Sequence, residues 1–194
     1  MVLSRADLAA AYGVSQTPVR DALMRLEEEG LVDVFPQHKT IVSRIDINAA
    51  QQAHFLRRSI ELEIARLLAE VRDRGLVEPL RGLIARQRTA LAAADFGAFA
   101  ATDQAFHRAM YSAAGVAGLW DDVRRRSGHI DRLRRLHLPV QGKGEAIVRD
   151  HTRIVDAIAK GDAETAQRRV REHLSGTLSQ VNAIRARHPE YVTN

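Results

Sequence analysis

No cysteine occurs in the 194 residues. Disulfides, thiolate metal sites and cysteine nucleophiles are therefore excluded, and a reducing, cytoplasmic setting is expected. Aromatic residues make up only 5%, too few for a platform that stacks sugars or bases. Proline and glycine are sparse, at 5 and 12, which rules out collagen-like and low-complexity chains and favours helix. No apolar run is long enough to span a bilayer, and no signal-peptide pattern opens the chain, so no membrane partner is expected. What is present is a 45% share of hydrophobic residues, enough to bury a core. The length suits one large domain or two small ones.

The formal net charge is +5. That favours a polyanionic partner, but the distribution matters more than the sum. Residues 1–45 are slightly acidic. Arg5, Arg20, Arg25, Lys39 and Arg44 face Asp7, Asp21, Glu27, Glu28, Glu29 and Asp33. The basic excess lies later, at Arg124, Arg125, Arg126, Arg132, Arg134 and Arg135. With Val123, Ile130, Leu133 and Leu136 between them, these arginines read as the solvated face of an amphipathic helix. One or two of them facing a bundle interior would hold an anion instead.

The chain divides near residue 45. Ser4 can cap a helix over 4–12, and Gly13 suits its C-terminal turn. Ser15 can cap a second helix, with Pro18 in its first turn, the apolar stripe Val19, Leu23 and Leu26, and a stop at Gly30. Extended stretches follow over 31–35 and 40–42, joined by a turn at 36–39. Helix, tight turn, helix and β-hairpin is the order of a winged helix-turn-helix. From Asp46 onward the periodicity predicts helices over 46–72, 76–93, 96–113, 117–137, 144–160 and 162–186. Breaks fall at Gly75, Asp95, Gly115, residues 139–144 and residues 161–162. The short connections predict an antiparallel bundle of about six helices. The fold class is thus mostly α, a winged helix over 1–45 followed by a helical bundle over 46–194.

The second helix would display Ser15, Gln16, Thr17 and Arg20 at its N-terminal turn. Amide and guanidinium groups read adenine and guanine edges in a major groove, and hydroxyls and helix N-termini suit phosphates. His38 and Lys39 would sit on the wing. The ordinary alternative is that Pro18 simply starts a helix and Arg20 pairs with an acid; the full helix-turn-helix-wing order favours DNA.

Among the 8 histidines, His107 stands four residues after Asp103 on one predicted helix, so both point the same way. His151 and His173 lie on the last two helices. Together the four make an N/O-rich set suited to zinc, nickel, manganese or iron. A surface ion pair and isolated structural histidines would give the same spacing. His38, His54, His129, His137 and His188 lack such a constellation and read as surface or core residues. His129 deserves separate notice because its helix lines the bundle. Arg57 and Glu61 are also four apart. They form either a structural ion pair or a clamp in which Arg57 binds a ligand carboxylate bidentately.

The run Leu8-Ala9-Ala10-Ala11-Tyr12-Gly13-Val14-Ser15-Gln16-Thr17-Pro18-Val19-Arg20-Asp21-Ala22-Leu23, continued by Leu26-Glu27-Glu28-Glu29-Gly30-Leu31-Val32, resembles the GntR family of bacterial transcription regulators. The helical remainder resembles the effector-binding FCD domain of that family's FadR-like branch. The resemblance implies that Asp103, His107, His151 and His173 are metal ligands, since Asp-x-x-x-His followed by two lone histidines is the metal signature of that domain. It also matches Arg57 and Glu61 to the family's Arg-x-x-x-Glu. The family places a further helix and a short strand before the helix holding Leu8, so the winged helix is expected to be truncated. Gln16 stands where the family usually has arginine, and Lys39 where the wing turn usually has glycine.

The leading expectation is a ligand-responsive regulator, a repressor, working as a homodimer on operator DNA and answering to a small carboxylate effector at a metal site. The metal set leaves one alternative open and the expected truncation another. One is a metal-dependent helical-bundle enzyme, which lacks an evident general base and leaves the winged helix without a role. The other is a ligand-binding dimer that has lost DNA binding.

Overall fold

The computed structural model describes residues 1–35, 38–71 and 74–193. Its N-terminal lobe holds β1 (Val2–Leu3), α1 (Arg5–Tyr12), α2 (Gln16–Glu28), β2 (Val32–Phe35) and β3 (Lys39–Val42). Ser4 caps α1 by accepting from the Asp7 amide at 3.2 Å. Gly13 turns the chain at φ 64°, a left-handed conformation that glycine adopts without strain. Val19 and Leu23 of α2 close with Ala9 of α1 into a small core, flanked by Leu3, Leu8 and Leu26. The hairpin is antiparallel, with Val32 opposite Val42 and Phe35 opposite Lys39. Residues 36 and 37 of the expected turn lie outside the described residues.

The expected loss of the leading strand is corrected. Val2–Leu3 pairs antiparallel with β3, Val2 opposite Ile41, and the sheet order is β1-β3-β2. Two residues are too short for a periodicity signal, but the edge of β3 offers unpaired backbone groups that they satisfy.

The C-terminal lobe comprises α3 (Ile47–Val71), α4 (Arg74–Ala92), α5 (Phe96–Ala113), α6 (Ala117–Arg125), α7 (Gly128–His137), α8 (Lys143–Lys160), α9 (Ala163–Ser175) and α10 (Val181–Arg187). The long α3 packs against α9, α7 and α8, while α4 packs against α5 and α8. Its core includes Leu68, Leu80, Phe99, Phe106, Tyr111 and Ile154.

Three boundaries differ from expectation. The helix foreseen over 117–137 breaks at 126–127. There the buried Ser127 returns its hydroxyl to the Val123 carbonyl at 2.8 Å, and a Ser-Gly pair is a common cause of a kink. The helix foreseen over 162–186 ends at Ser175. Gly176 weakens it, Thr177 is buried, and a 3₁₀ turn over Leu178–Gln180 redirects the chain into α10. The helix after α3 starts at Arg74, so Gly75 lies within it rather than before it.

A second small core seats the link after β3 on the C-terminal lobe. Ile45 from the link, Ile130 and Leu133 from α7, Ile184 from α10 and Val192 from the C-terminal segment pack together.

Candidate metal centre and ligand cavity

Three helices bring four side chains together. α5 starts at the cap Asp95, which accepts from the Ala98 amide at 2.8 Å; two turns later it presents Asp103 and His107. α8 supplies His151. α9, capped by Asp162 accepting from the Thr165 amide at 3.0 Å, supplies His173. One ligand atom from each of the four lies within 4.8 Å of the others. The Nε2 atoms of His151 and His173 are 3.2 Å apart, and those of His173 and His107 are 3.3 Å apart. Asp103 Oδ1 lies 3.5 Å from His151 Nε2.

The outer ring nitrogens explain this convergence. His151 Nδ1 lies 2.8 Å from Gln87 Oε1, to which it can only donate. His107 Nδ1 lies 2.9 Å from Glu61 Oε2, an acceptor when ionised. Both Nδ1 atoms therefore carry the proton, and both Nε2 lone pairs face inward. His173 Nδ1 has the Asp150 carboxylate 3.8 Å away. Lone pairs and a carboxylate oxygen aimed at one point repel unless a cation or proton sits among them. The donor set and these outer partners fit a divalent metal.

Charge states agree. Burial, joined by the Arg57 charge, pushes His107 below the ordinary imidazole value, and burial with the charge of His173 pushes His151 well below it. Both stay neutral, as ligands must be. Burial alone would raise Glu61, but the Arg57 guanidinium beside it outweighs burial and holds the carboxyl far below the usual range. Phe106 stacks on His151 with ring centroids 4.0 Å apart, fixing the imidazole plane.

His107 and His151 are buried, whereas Asp103 and His173 open into a cavity of about 490 Å³. Its apolar wall includes Phe99, Trp120 and Leu138, and its polar wall includes Arg134, Arg135 and Lys143. Arg57 also lines it. Arg57 Nε donates to Glu61 Oε1 at 2.6 Å, yet its buried Nη2 has no partner. Arg57 thus has one edge in an ion pair and one buried nitrogen without a partner beside the cavity. Arg124 and Arg134 of the basic run hold Asp131 between them, so part of that run faces inward rather than into solvent.

Sequence reasoning missed Gln87 and Asp150, and it missed Glu61 as a partner of His107. Gln87 was detectable as a polar residue on the apolar stripe of Leu80, Leu83 and Ile84. It is fully buried, and its Nε2 reaches Asp103 Oδ1 at 3.5 Å. Asp150 and Glu61 give no signal beyond ordinary helix charges. Of the histidines set aside, His54, His129 and His137 are buried and His38 is exposed.

At the other end, Ser15, Gln16, Thr17 and Arg20 are all exposed at the start of α2, as are His38 and Lys39 on the wing. Ser15 occupies the cap position but makes no side-chain capping bond. Its hydroxyl and the first amides of α2 are left for another acceptor. Lys39 Nζ lies 5.5 Å from the centre of the Phe35 ring.

Residues 1–42 match the model of bacterial regulatory proteins of the gntR family, and residues 52–176 match that of the FCD domain. The chain belongs to the GntR family and carries its FCD domain. An uncharacterised helix-turn-helix regulator from an unstable DNA locus of Streptomyces ambofaciens is 39% identical over 97% of this chain and 79% of its own length. The repressor RspR of Escherichia coli is 26% identical over 97% of this chain and 83% of its own. The solved structure of E. coli McbR/YncC superposes with a TM-score of 0.78 at 19% identity, over 94% of this chain and 87% of that one, which concerns fold alone. This GntR-family chain is a transcription regulator with a DNA-binding winged helix and an effector-type domain; it is not an enzyme. No helix among the described residues is long and apolar enough to cross a membrane.

Proposed function

We propose that this GntR-family regulator is a repressor released or engaged by a small carboxylate that binds at a metal held by Asp103, His107, His151 and His173. The observation that carries the reading is the centre itself. Inward lone pairs and one carboxylate meet at a wall of a cavity. There, Arg57 keeps an unpartnered guanidinium nitrogen. A divalent cation at the centre supplies positive charge in a poorly solvated interior, which draws an anion more strongly than a surface site would. Arg57 orients that anion, since a guanidinium pairs with carboxylate oxygens. Arg134 and Lys143 suit a second anionic group at another wall. Three nitrogens and one oxygen suit zinc best, with nickel, manganese and iron as the competing occupants.

Residues 1–45 then form the DNA lobe and 46–194 the metal and effector lobe. Ser15, Gln16, Thr17 and Arg20 enter the major groove, and His38 and Lys39 meet the backbone or minor groove. RspR carries the name of a repressor, as does a D-xylose operon regulator of Paenarthrobacter nicotinovorans that is 29% identical over 89% of this chain. A two-fold homodimer would read two half-sites about one helical turn apart, and light scattering gives its mass directly.

The test is calorimetry with mono-, di- and tricarboxylates on zinc-loaded, metal-stripped and Arg57→Ala protein. Binding that is lost on stripping and weakened about tenfold or more in Arg57→Ala, by a charge-assisted contact of ~1.5–3 kcal/mol, supports the reading. Equal binding to all three places the ligand elsewhere. A gel shift against the DNA flanking the coding sequence separates a working repressor from a dimer that no longer binds DNA.

A further inference from the structure

The link between the lobes, residues 43–46, is gripped from two sides. On one side stands α7. Arg132 donates through Nη2 to the Ser43 carbonyl at 2.8 Å, and His129 accepts at Nδ1 from the Asp46 amide at 3.1 Å. The same imidazole lies against Gly30, just past the end of α2. One buried side chain thus touches the turn that follows the DNA-reading helix and the residue that precedes α3.

On the other side lies the C-terminal segment. Ile45 and Val192 form a parallel β-bridge. The Ile45 amide donates to the Tyr191 carbonyl at 2.7 Å, and the Ile45 carbonyl accepts from the Thr193 amide at 3.0 Å. Ile45 and Val192 are 1% and 2% exposed. A link between independently moving lobes would be solvated and free of such bonds; this one has both backbone groups of Ile45 committed.

α7 also faces the cavity. His129 and Arg132 are three residues apart and share one side of the helix. Asp131, Arg134 and Arg135 lie on another side and line the cavity. Asp131 holds Arg124 of α6 as well as Arg134. An anion that engages those arginines competes with Asp131 and loosens the α6–α7 joint. The helix has ten residues, so it turns as one body and carries His129 and Arg132 with it.

We propose that α7 and residues 191–193 form a clamp on residues 43–46 that sets the pose of the winged helix, and that α7 makes the clamp sensitive to the cavity. The second half rests on the effector reading above; the first does not. His129 and Arg132 are positioning residues, and they act on DNA only through the link.

The cysteine-free sequence makes the test direct. Glu28→Cys in α2 and Arg86→Cys in α4, both exposed, carry spin labels, and excess unlabelled protein suppresses distances between subunits. Pulsed dipolar spectroscopy then reports the pose of one lobe against the other. Arg132→Gln removes one grip. Thr193→Pro removes the amide of the other, at a place where the preceding residue is already extended. Each is expected to broaden the distance distribution at least twofold, with far-UV circular dichroism and zinc affinity within threefold of the parent. A distribution unchanged in both variants overturns the clamp. Asp131→Asn tests the relay without any effector, because that side chain touches neither the link nor the DNA lobe. A shifted or broadened distribution supports the relay, and one identical to the parent overturns it while leaving the clamp and the effector reading standing.

Discussion

Glu61 is one turn from Arg57 and has two partners. Its Oε1 takes the Arg57 Nε–H, and its Oε2 faces His107 Nδ1. Both side chains of the ion pair are almost fully buried. Glu61→Gln leaves the guanidinium without a counter-charge, and breaking a buried pair this way costs about 3–5 kcal/mol. The same change loosens the orientation of His107, and loss of such an outer partner lowers metal affinity about 10–100-fold. The two effects separate in the double variant Arg57→Met with Glu61→Leu. Replacing both partners by apolar groups of similar volume is often neutral for stability, yet no carboxylate then faces His107. Urea denaturation is expected to recover in the double variant while zinc titration does not. Recovery of both would reduce Glu61 to a purely structural role.

At the scale of elements, the winged helix rests on very little core. Ala9, Val19 and Leu23 are its buried apolar cluster, whereas the bundle core draws on α3 to α6, α8 and α9. Leu23→Ala removes buried methyl groups and costs about 2–5 kcal/mol, a large fraction of what so small a lobe can have. The expected result is early melting of the N-terminal lobe, seen as rapid amide exchange over 5–35, with zinc binding by the bundle unchanged. If exchange rose equally over α5 and α8, the two lobes would unfold as one unit.

For the whole molecule, buried histidines set a pH dependence. Burial, with the charges of Arg58, Arg134 and Arg57, lowers His54 from 6.5 to about 4, and His107 and His151 are also lowered. The unfolded chain binds protons near pH 6.5 that these folded sites refuse. Between about pH 4 and 6.5 the unfolded state therefore gains more protons, and stability rises with pH. Stability is complete above about pH 6.5 and is lost as pH falls toward 4. Below about 4.5 the depressed Glu61 acts in the same sense. Metal-stripped protein is expected to show a denaturation midpoint that drops from pH 7.5 to 5, with a shallower drop in His54→Gln. A flat profile across that range would contradict the neutral state of these imidazoles.

The helix-turn-helix order, the apolar stripe of α2 and the Asp103–His107 spacing are local properties. Helical period and cap chemistry repeat within a few residues, so they could be read from the sequence. The four candidate ligands and Arg57 were legible for the same reason, helped by a family pattern. The rest depends on which helices touch. Gln87 is 16 residues from Asp103 and 64 from His151, and no local rule links them. The break at Ser127 turns on burial of one hydroxyl. The two-residue β1 exists because β3 offers it an edge, and the grip of the C-terminal segment on Ile45 joins residues 148 apart in sequence. Pairing across such separations is decided by tertiary packing, where buried backbone and side-chain groups must find partners that their sequence neighbours do not supply.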